Sequence, residues 1–112
     1  MAGSSPVLDG QAVASLRRLG ALERIVAVFL ETTPSQLNQV RQALAGEDRE
    51  GLGRLVHSLK GSAAYLGAIE MMQRCKELEE LARDADSEAW QAGLDAVVGA
   101  FERLAKELRR RL

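Results

Sequence analysis

Residues 49–67 read REGLGRLVHSLKGSAAYLG, and this stretch decides the fold. Its apolar residues recur at alternating spacings of four and three: Leu52, Val56, Leu59, Ala63 and Leu66. That spacing places them along one face of an α-helix, as a buried seam of the coiled-coil type. Asp48, just before the helix, is a suitable N-cap, and Gly67 suits a left-handed C-terminal cap. The stretch therefore predicts one helix that packs against others.

The residues after Gly67 continue the same pattern in two further helices. The first begins at about Ala68, and its seam is Met71, Cys75, Leu78 and Ala82. A polar turn over 84–86 follows, and Ser87 is a good N-cap for the second. Its seam keeps the four and three spacing almost to the end of the chain: Trp90, Leu94, Val97, Phe101, Leu104 and Leu108.

Two helices are expected before the quoted stretch. A long helix over 21–45 ends at Gly46, and its apolar stripe is Val26, Leu30, Leu37, Val40 and Leu44. Pro34 removes one backbone hydrogen bond inside it, so we expect a kink rather than a break, because the stripe resumes in phase. A short helix precedes Gly20, with Asp9 as its N-cap and with the apolar positions Val13, Leu16 and Leu19.

The loops between the long helices are short, so helices that are adjacent in sequence should pack antiparallel. We therefore predict an all-α fold, an up-down-up-down four-helix bundle with a short extra N-terminal helix. The composition agrees, since 46% of the residues are hydrophobic and only 4% are aromatic, whereas sheets favour aromatic and β-branched residues. We assign residues 8–112 to this single domain and residues 1–7 to a flexible leader.

Several function classes lack support in the sequence. The formal net charge is −1, so no overall field attracts nucleic acid. We interpret the basic run Arg109–Arg111 as complementing the dipole of the last helix, with a docking role as the alternative. No apolar run approaches the roughly 18 residues that span a bilayer. Cys75 is the single cysteine, which excludes an internal disulfide and favours a cytoplasmic setting. The single histidine lacks a Glu-x-x-His pair, so the bundle cannot hold a di-iron site, and we expect no metal or other cofactor. We also expect a monomer.

The quoted stretch also contains that single histidine. His57 follows the seam residue Val56, so it should lie at the edge of the core. Lys60, Gly61 and Ala64 follow it by three, four and seven residues and share its side of the helix. Gly61 costs about 1 kcal/mol relative to alanine inside a helix. It either leaves open space beside the imidazole for another protein or lets a neighbouring helix pack closely, and the spacing allows both.

The next helix offers a partner for the imidazole. Folding back at Gly67 should bring Glu79 alongside His57, because both residues directly follow a seam position. A hydrogen bond from Nδ1–H to Glu79 would fix the tautomer and leave Nε2 free as a nucleophile. Lys60 opposes protonation of the imidazole. Arg83, one turn after Glu79, could pair with Glu79 or with phosphate, and a pair with Glu79 would also be an ordinary surface ion pair.

Residues 57–68 read HSLKGSAAYLGA and closely resemble the signature of histidine-containing phosphotransfer (HPt) domains, His-x-Leu-Lys-Gly-Ser/Ala-x-x-x-Leu-Gly. Glu79 and Arg83 stand where that family places its orienting and basic residues. Phe29, followed by Pro34, resembles the family's second helix. The resemblance runs from about residue 8 to about residue 110. A lone histidine beside an apolar seam is more often structural than functional, and this resemblance is what makes His57 the candidate phosphoacceptor.

The resemblance implies that His57 accepts and donates a phosphoryl group through Nε2. The partners would be the receiver domains of a hybrid sensor kinase and of a response regulator, and the receiver would bring the divalent metal. Lys60 would lie near the phosphoryl group, Gly61 would clear space for the receiver, and Glu79 would hold the imidazole. The docking face is expected to include Ser58, Ala64 and Tyr65. The chain would be a phosphocarrier without kinase activity, not an enzyme; the alternative is a helical adaptor that uses the same surface without phosphorylation.

Overall fold

The computed structural model describes residues 5–111, and within them it contains α-helices and one short 3₁₀ turn but no strand. The helices are α1 (Gly10–Arg18), α2 (Leu22–Ala45), α3 (Arg49–Leu66), α4 (Ile69–Asp84) and α5 (Trp90–Arg111). Helices α2 to α5 form the predicted antiparallel bundle, in which α2 contacts α3 and α5, and α4 contacts α3 and α5. The short helix α1 packs on α2. The predicted fold class is confirmed.

The seams predicted for α3 and α4 are confirmed at every position, since each of their residues is buried. The stripe predicted for α2 is partly wrong. Leu30 and Leu44 are only half-buried, whereas Phe29 and Thr33 are buried and complete a face that includes Val26. Phe29 and Leu30 are adjacent on the helix and about 100° apart around its axis. Only one of them can face the core. The sequence predicted Leu30, whereas the buried residue is Phe29.

Two further apolar residues differ from the prediction. Phe101 in α5 is half-buried, and its ring lies 6.0 Å from that of Phe29 at a tilt of 50°, while the neighbouring Ala100 is the residue that faces the core. Leu19 is exposed because α1 ends at Arg18, so that Leu19 belongs to the C-cap and turns away from the bundle. The buried face of α5 therefore includes Ala100 rather than Phe101, and the buried face of α1 ends at Leu16.

The predicted helix ends are mostly confirmed. Asp9 accepts a hydrogen bond from the N–H of Gln11, and Asp48 accepts one from the N–H of Gly51, so both are side-chain N-caps. Ser87 is not the N-cap of α5. A 3₁₀ turn over Ser87–Ala89 precedes that helix, and the Ser87 hydroxyl donates to Glu47 at 2.6 Å instead. The hydroxyl thus links two loops at one end of the bundle.

Pro34 and the N-terminal residues do not interrupt the bundle. Helix α2 runs unbroken through Pro34, which is exposed, and the expected kink there stays a prediction.

Of the leader assigned to residues 1–7, residues 1–4 lie outside the described part of the chain. The carbonyl of Pro6 accepts a hydrogen bond from the N–H of Glu70 at 2.9 Å, and Val7 is partly buried against the core. The boundary at residue 8 also stays a prediction.

Gly67 makes the sharp turn between α3 and α4. Its φ of +79° lies in the left-handed region, which glycine adopts without strain. Its carbonyl accepts a hydrogen bond from the N–H of Asp9 at 2.8 Å, so α1 is anchored on this turn. A Cβ atom at Gly67 would lie 2.5 Å from the Cβ of Ala12. The position therefore requires glycine both for its backbone and for its packing.

We expect Gly67→Ala to lower the free energy of unfolding by at least about 2 kcal/mol, because left-handed strain and the clash with Ala12 add. Gly53→Ala is the matched control. A Cβ at Gly53 would meet nothing within 4 Å, so this change should raise the free energy of unfolding by about 0.5–1 kcal/mol. Urea unfolding followed by circular dichroism measures both. A Gly67→Ala protein as stable as the wild type would contradict this account of the turn.

Candidate functional site

His57 lies on the exposed face of α3, directly after the buried seam residue Val56. Its side chain is 69% exposed, and its Nδ1 lies 2.8 Å from Oε2 of Glu79 on α4. Glu79 likewise follows a buried seam residue, Leu78. Because the Gly67 turn places α3 and α4 side by side, equivalent positions next to the two seams meet. The hydrogen bond that the sequence predicts is present.

Lys60 completes a set of three side chains. Its Nζ lies 2.6 Å from Oε1 of Glu79, so the two oxygens of one carboxylate have different partners from α3. The lysine and the carboxylate are 28% and 24% exposed, which shields them more than the imidazole. Sequence reasoning missed the pair between Lys60 and Glu79. The signal was available, because Lys60 lies one turn after His57 and a carboxylate that reaches one can reach the other.

The protonation of Glu79 decides which imidazole nitrogen is free. Partial burial by itself raises the pKa of Glu79, but hydrogen bonds from Lys60 and His57 outweigh it, so the pKa lies below its usual value. At neutral pH the side chain is a carboxylate, which can only accept hydrogen bonds. The Nδ1 atom of His57 therefore carries the proton. In the neutral imidazole the lone pair is then on Nε2.

Gly61 lies one turn beyond His57 on the exposed side of α3. A Cβ atom there would meet nothing within 4 Å, so no neighbouring helix packs against this position. The close-packing explanation for this glycine is therefore excluded. What remains is open space beside the imidazole, through which another molecule can approach.

The pair predicted between Arg83 and Glu79 is wrong. Arg83 is exposed, and its guanidinium lies 3.2 Å from the carboxylate of the adjacent Asp84. Both oxygens of Glu79 already have partners on α3, and Asp84 at the end of α4 is the nearer acceptor for Arg83. Any contact between Arg83 and a phosphoryl group stays a prediction.

A groove of about 510 Å³ runs between α2 and α3 beside Gly61. Its walls are mostly apolar, and Tyr65 on its rim is 68% exposed. The lining residues are Arg24, Ile25, Val28, Phe29, Thr32, Gly61, Ser62, Tyr65 and Leu66. Sequence reasoning missed the contribution of α2, although Ile25, Val28 and Thr32 follow a helical spacing outside its buried stripe. Ser58 and Ala64 are exposed on α3 but do not line the groove.

Cys75 lies one turn before Glu79 on α4 and is a free, buried thiol. Burial first, and then the negative charge of Glu79, raise its pKa to about 12. The thiol therefore stays protonated at neutral pH and is a poor nucleophile. In residues 5–111, no group of three or more His, Cys, Asp or Glu side chains is arranged to hold a metal ion, and no helix is long and apolar enough to cross a membrane.

Comparison with protein families identifies the chain. The family model of the Hpt domain matches residues 24–110, which include His57, its partners and the groove. The chain belongs to the Hpt domain family. The resemblance carried by residues 57–68 is thereby confirmed.

Individual Hpt relatives agree at the level of sequence. The signal transduction histidine-protein kinase BarA of Shigella flexneri is 36% identical over 64 residues, which are 57% of this chain and 7% of the kinase. The sensor histidine kinase GacS of Pseudomonas protegens is 31% identical over 85 residues, which are 76% of this chain and 9% of the kinase. The chain therefore corresponds to a small part of these kinases.

Solved Hpt structures agree at the level of fold. Histidine-containing phosphotransfer protein B of Pseudomonas aeruginosa PAO1 matches with a TM-score of 0.89 and 26% identity, over 96% of each chain. A putative histidine-containing phosphotransfer protein from rice matches with a TM-score of 0.84 and 21% identity, over 92% of this chain and 79% of that one, which shows the fold alone. Family and fold together make this chain a phosphotransfer module of a two-component phosphorelay.

The lowered pKa of Glu79 predicts how its contribution to stability depends on pH. A carboxyl group whose pKa is lower in the folded state stabilises the fold above its unfolded pKa, and this contribution is lost as the pH falls through the folded pKa. The destabilisation caused by Glu79→Gln should therefore be largest near pH 7 and shrink below about pH 4. Urea unfolding of both proteins across this range measures it. A destabilisation that stays constant down to pH 3 would contradict the predicted direction of the pKa shift.

Proposed function

We propose that His57 is the residue of this Hpt domain that carries the phosphoryl group. The observation that carries the proposal is the contact of Nδ1 with the Glu79 carboxylate, which leaves a lone pair on Nε2 of an imidazole that is 69% exposed. The open space at Gly61 supports it, because a partner can reach that nitrogen. Nδ1 faces α4 and is already hydrogen-bonded, so Nε2 is the nucleophile.

The transfer itself follows from this arrangement. The Nε2 lone pair attacks the phosphorus of an aspartyl phosphate on a receiver domain, and the bond from phosphorus to the aspartate oxygen breaks. The aspartate leaves with the electron pair as a carboxylate. Nδ1 keeps its proton, so the phosphorylated ring gains positive charge beside the Glu79 carboxylate, which stabilises it. The same step in reverse passes the group to a second receiver.

The family and the exposed surface around His57 support a proposal for the partners. We propose the receiver domain of a hybrid sensor kinase as donor and that of a response regulator as acceptor, with the divalent metal supplied by the receiver. The exposed face with Ser58 and Ala64, together with the groove beside Tyr65, would form the docking surface. The domain would act as a monomer in the cytoplasm and have no kinase activity of its own.

Mixing the protein with a phosphorylated receiver tests this function. We expect the wild type to gain phosphate that is labile in acid and stable in base, and His57→Gln to gain none. Autoradiography after gel electrophoresis, with acid and base treatment of the gel, measures both. Equal labelling of the two proteins by several receivers would contradict the assignment. A His57→Gln protein that still binds its partner and still signals would instead support the adaptor alternative.

We expect Gly61→Gln to fold normally and to take phosphate from a receiver more slowly, because a long side chain fills the space beside Nε2. Phosphoramidate, a small donor, needs less room and provides the comparison. Its reaction with His57 should be slowed far less. Phosphate uptake over time from each donor measures the two rates. Unchanged transfer from the receiver would show that Gly61 has no role in clearance.

A further inference from the structure

The ammonium group of Lys60 is engaged within the domain. It lies 2.6 Å from Oε1 of Glu79, while Nδ1 of His57 lies 2.8 Å from Oε2. The lysine is only 28% exposed, whereas the imidazole is 69% exposed. Lys60 and His57 thus contact different oxygens of the same carboxylate.

This arrangement has a consequence for the geometry of His57. A free glutamate side chain has several rotamers, and fixing one of them costs conformational entropy. Lys60 holds one oxygen of Glu79, so the other oxygen is directed at Nδ1 and the imidazole ring cannot flip without losing its hydrogen bond. The lysine therefore fixes the direction of Nε2 through the hydrogen bond that it makes with Glu79.

The same arrangement has a consequence for charge. An isolated carboxylate beside a histidine favours the protonated ring, which has no lone pair on Nε2. The positive charge of Lys60 offsets the negative charge of Glu79. The neighbouring carboxylate therefore favours the protonated ring less than an isolated carboxylate would. Of the charged groups on α3 and α4 in the described residues, Glu79 is the one hydrogen-bonded to His57, and Lys60 is in turn hydrogen-bonded to Glu79. Arg83 is engaged with Asp84.

We propose that Lys60 is a positioning residue that acts on His57 through Glu79. This inference rests on the proposed function of His57. It differs from the role that the family resemblance implies for Lys60, and it rests on the hydrogen bond between the ammonium group and the carboxylate.

A double-mutant cycle between Lys60 and Glu79 separates the two roles. Transfer from a phosphorylated receiver is measured for the wild type, Lys60→Met, Glu79→Ala and the double variant. We expect Lys60→Met to slow transfer about tenfold in the wild-type background and to have no further effect once Glu79 is alanine. The same loss in both backgrounds would overturn the proposal, since a lysine that binds phosphate directly acts without Glu79.

The tautomer of His57 provides a test that requires no phosphate. Nitrogen-15 NMR of the imidazole should show the proton on Nδ1 in the wild type and a mixture of tautomers in Lys60→Met. Lys60→Arg should restore the wild-type pattern, because arginine can also donate to Glu79. Lys106→Met, which removes an exposed lysine from α5, is the matched control and should change nothing. An unchanged tautomer in Lys60→Met would overturn the proposal.

These measurements keep the two proposals apart. Circular dichroism checks that each variant is folded. A wild type that accepts no phosphate from any receiver would overturn the proposed function, and the NMR comparison would then still decide whether Lys60 acts on His57 through Glu79. A wild type that accepts phosphate, with an unchanged tautomer in Lys60→Met, would overturn the positioning role alone.

Discussion

The left-handed turn at Gly67 is the constraint on which the rest of the structure depends. Its φ of +79° reverses the chain so that α4 returns along α3 with the two seams in contact. The same turn anchors α1, because the N–H of Asp9 donates to the Gly67 carbonyl. The functional arrangement is a direct result of this reversal. His57 and Glu79 each follow a seam residue, and residues beside two packed seams are neighbours across the helix interface.

Much of this fold could be predicted from the sequence, because the apolar spacing of α3 and α4 is regular and has no competing stripe. Helix α2 was harder, since Phe29 and Leu30 are adjacent and equally apolar, and only the position of α5 decides which one is buried. Ser87 has the chemistry of an N-cap, but Glu47 on another loop takes its hydroxyl. Contacts between distant loops leave no periodic signal in the sequence.

The site was predictable to the same extent. The contact of His57 with Glu79 follows from seam geometry, whereas the choice of cation for Glu79 does not. Lys60 lies one turn after His57, and Arg83 lies one turn after Glu79, so the sequence allows either cation to bind the Glu79 carboxylate. In the structure Lys60 binds it, and Arg83 pairs with Asp84 instead. The groove beside Tyr65 required the packing of two helices to be known. The glycine at position 61 shows the value of the structure most clearly, since only the empty space around it decides between its two explanations.

Together these features support the proposed function, in which the domain contributes a directed nucleophile to chemistry completed by its partners. The core positions the Glu79 carboxylate, which holds the imidazole, and the imidazole is exposed with open space next to it. The most direct test is nitrogen-15 NMR of the phosphorylated domain, in which the coupling between phosphorus and nitrogen identifies the ring nitrogen that carries the phosphoryl group. The account predicts that phosphorus is bonded to Nε2 of His57. Phosphorus bonded to Nδ1, or to any residue other than His57, would contradict it.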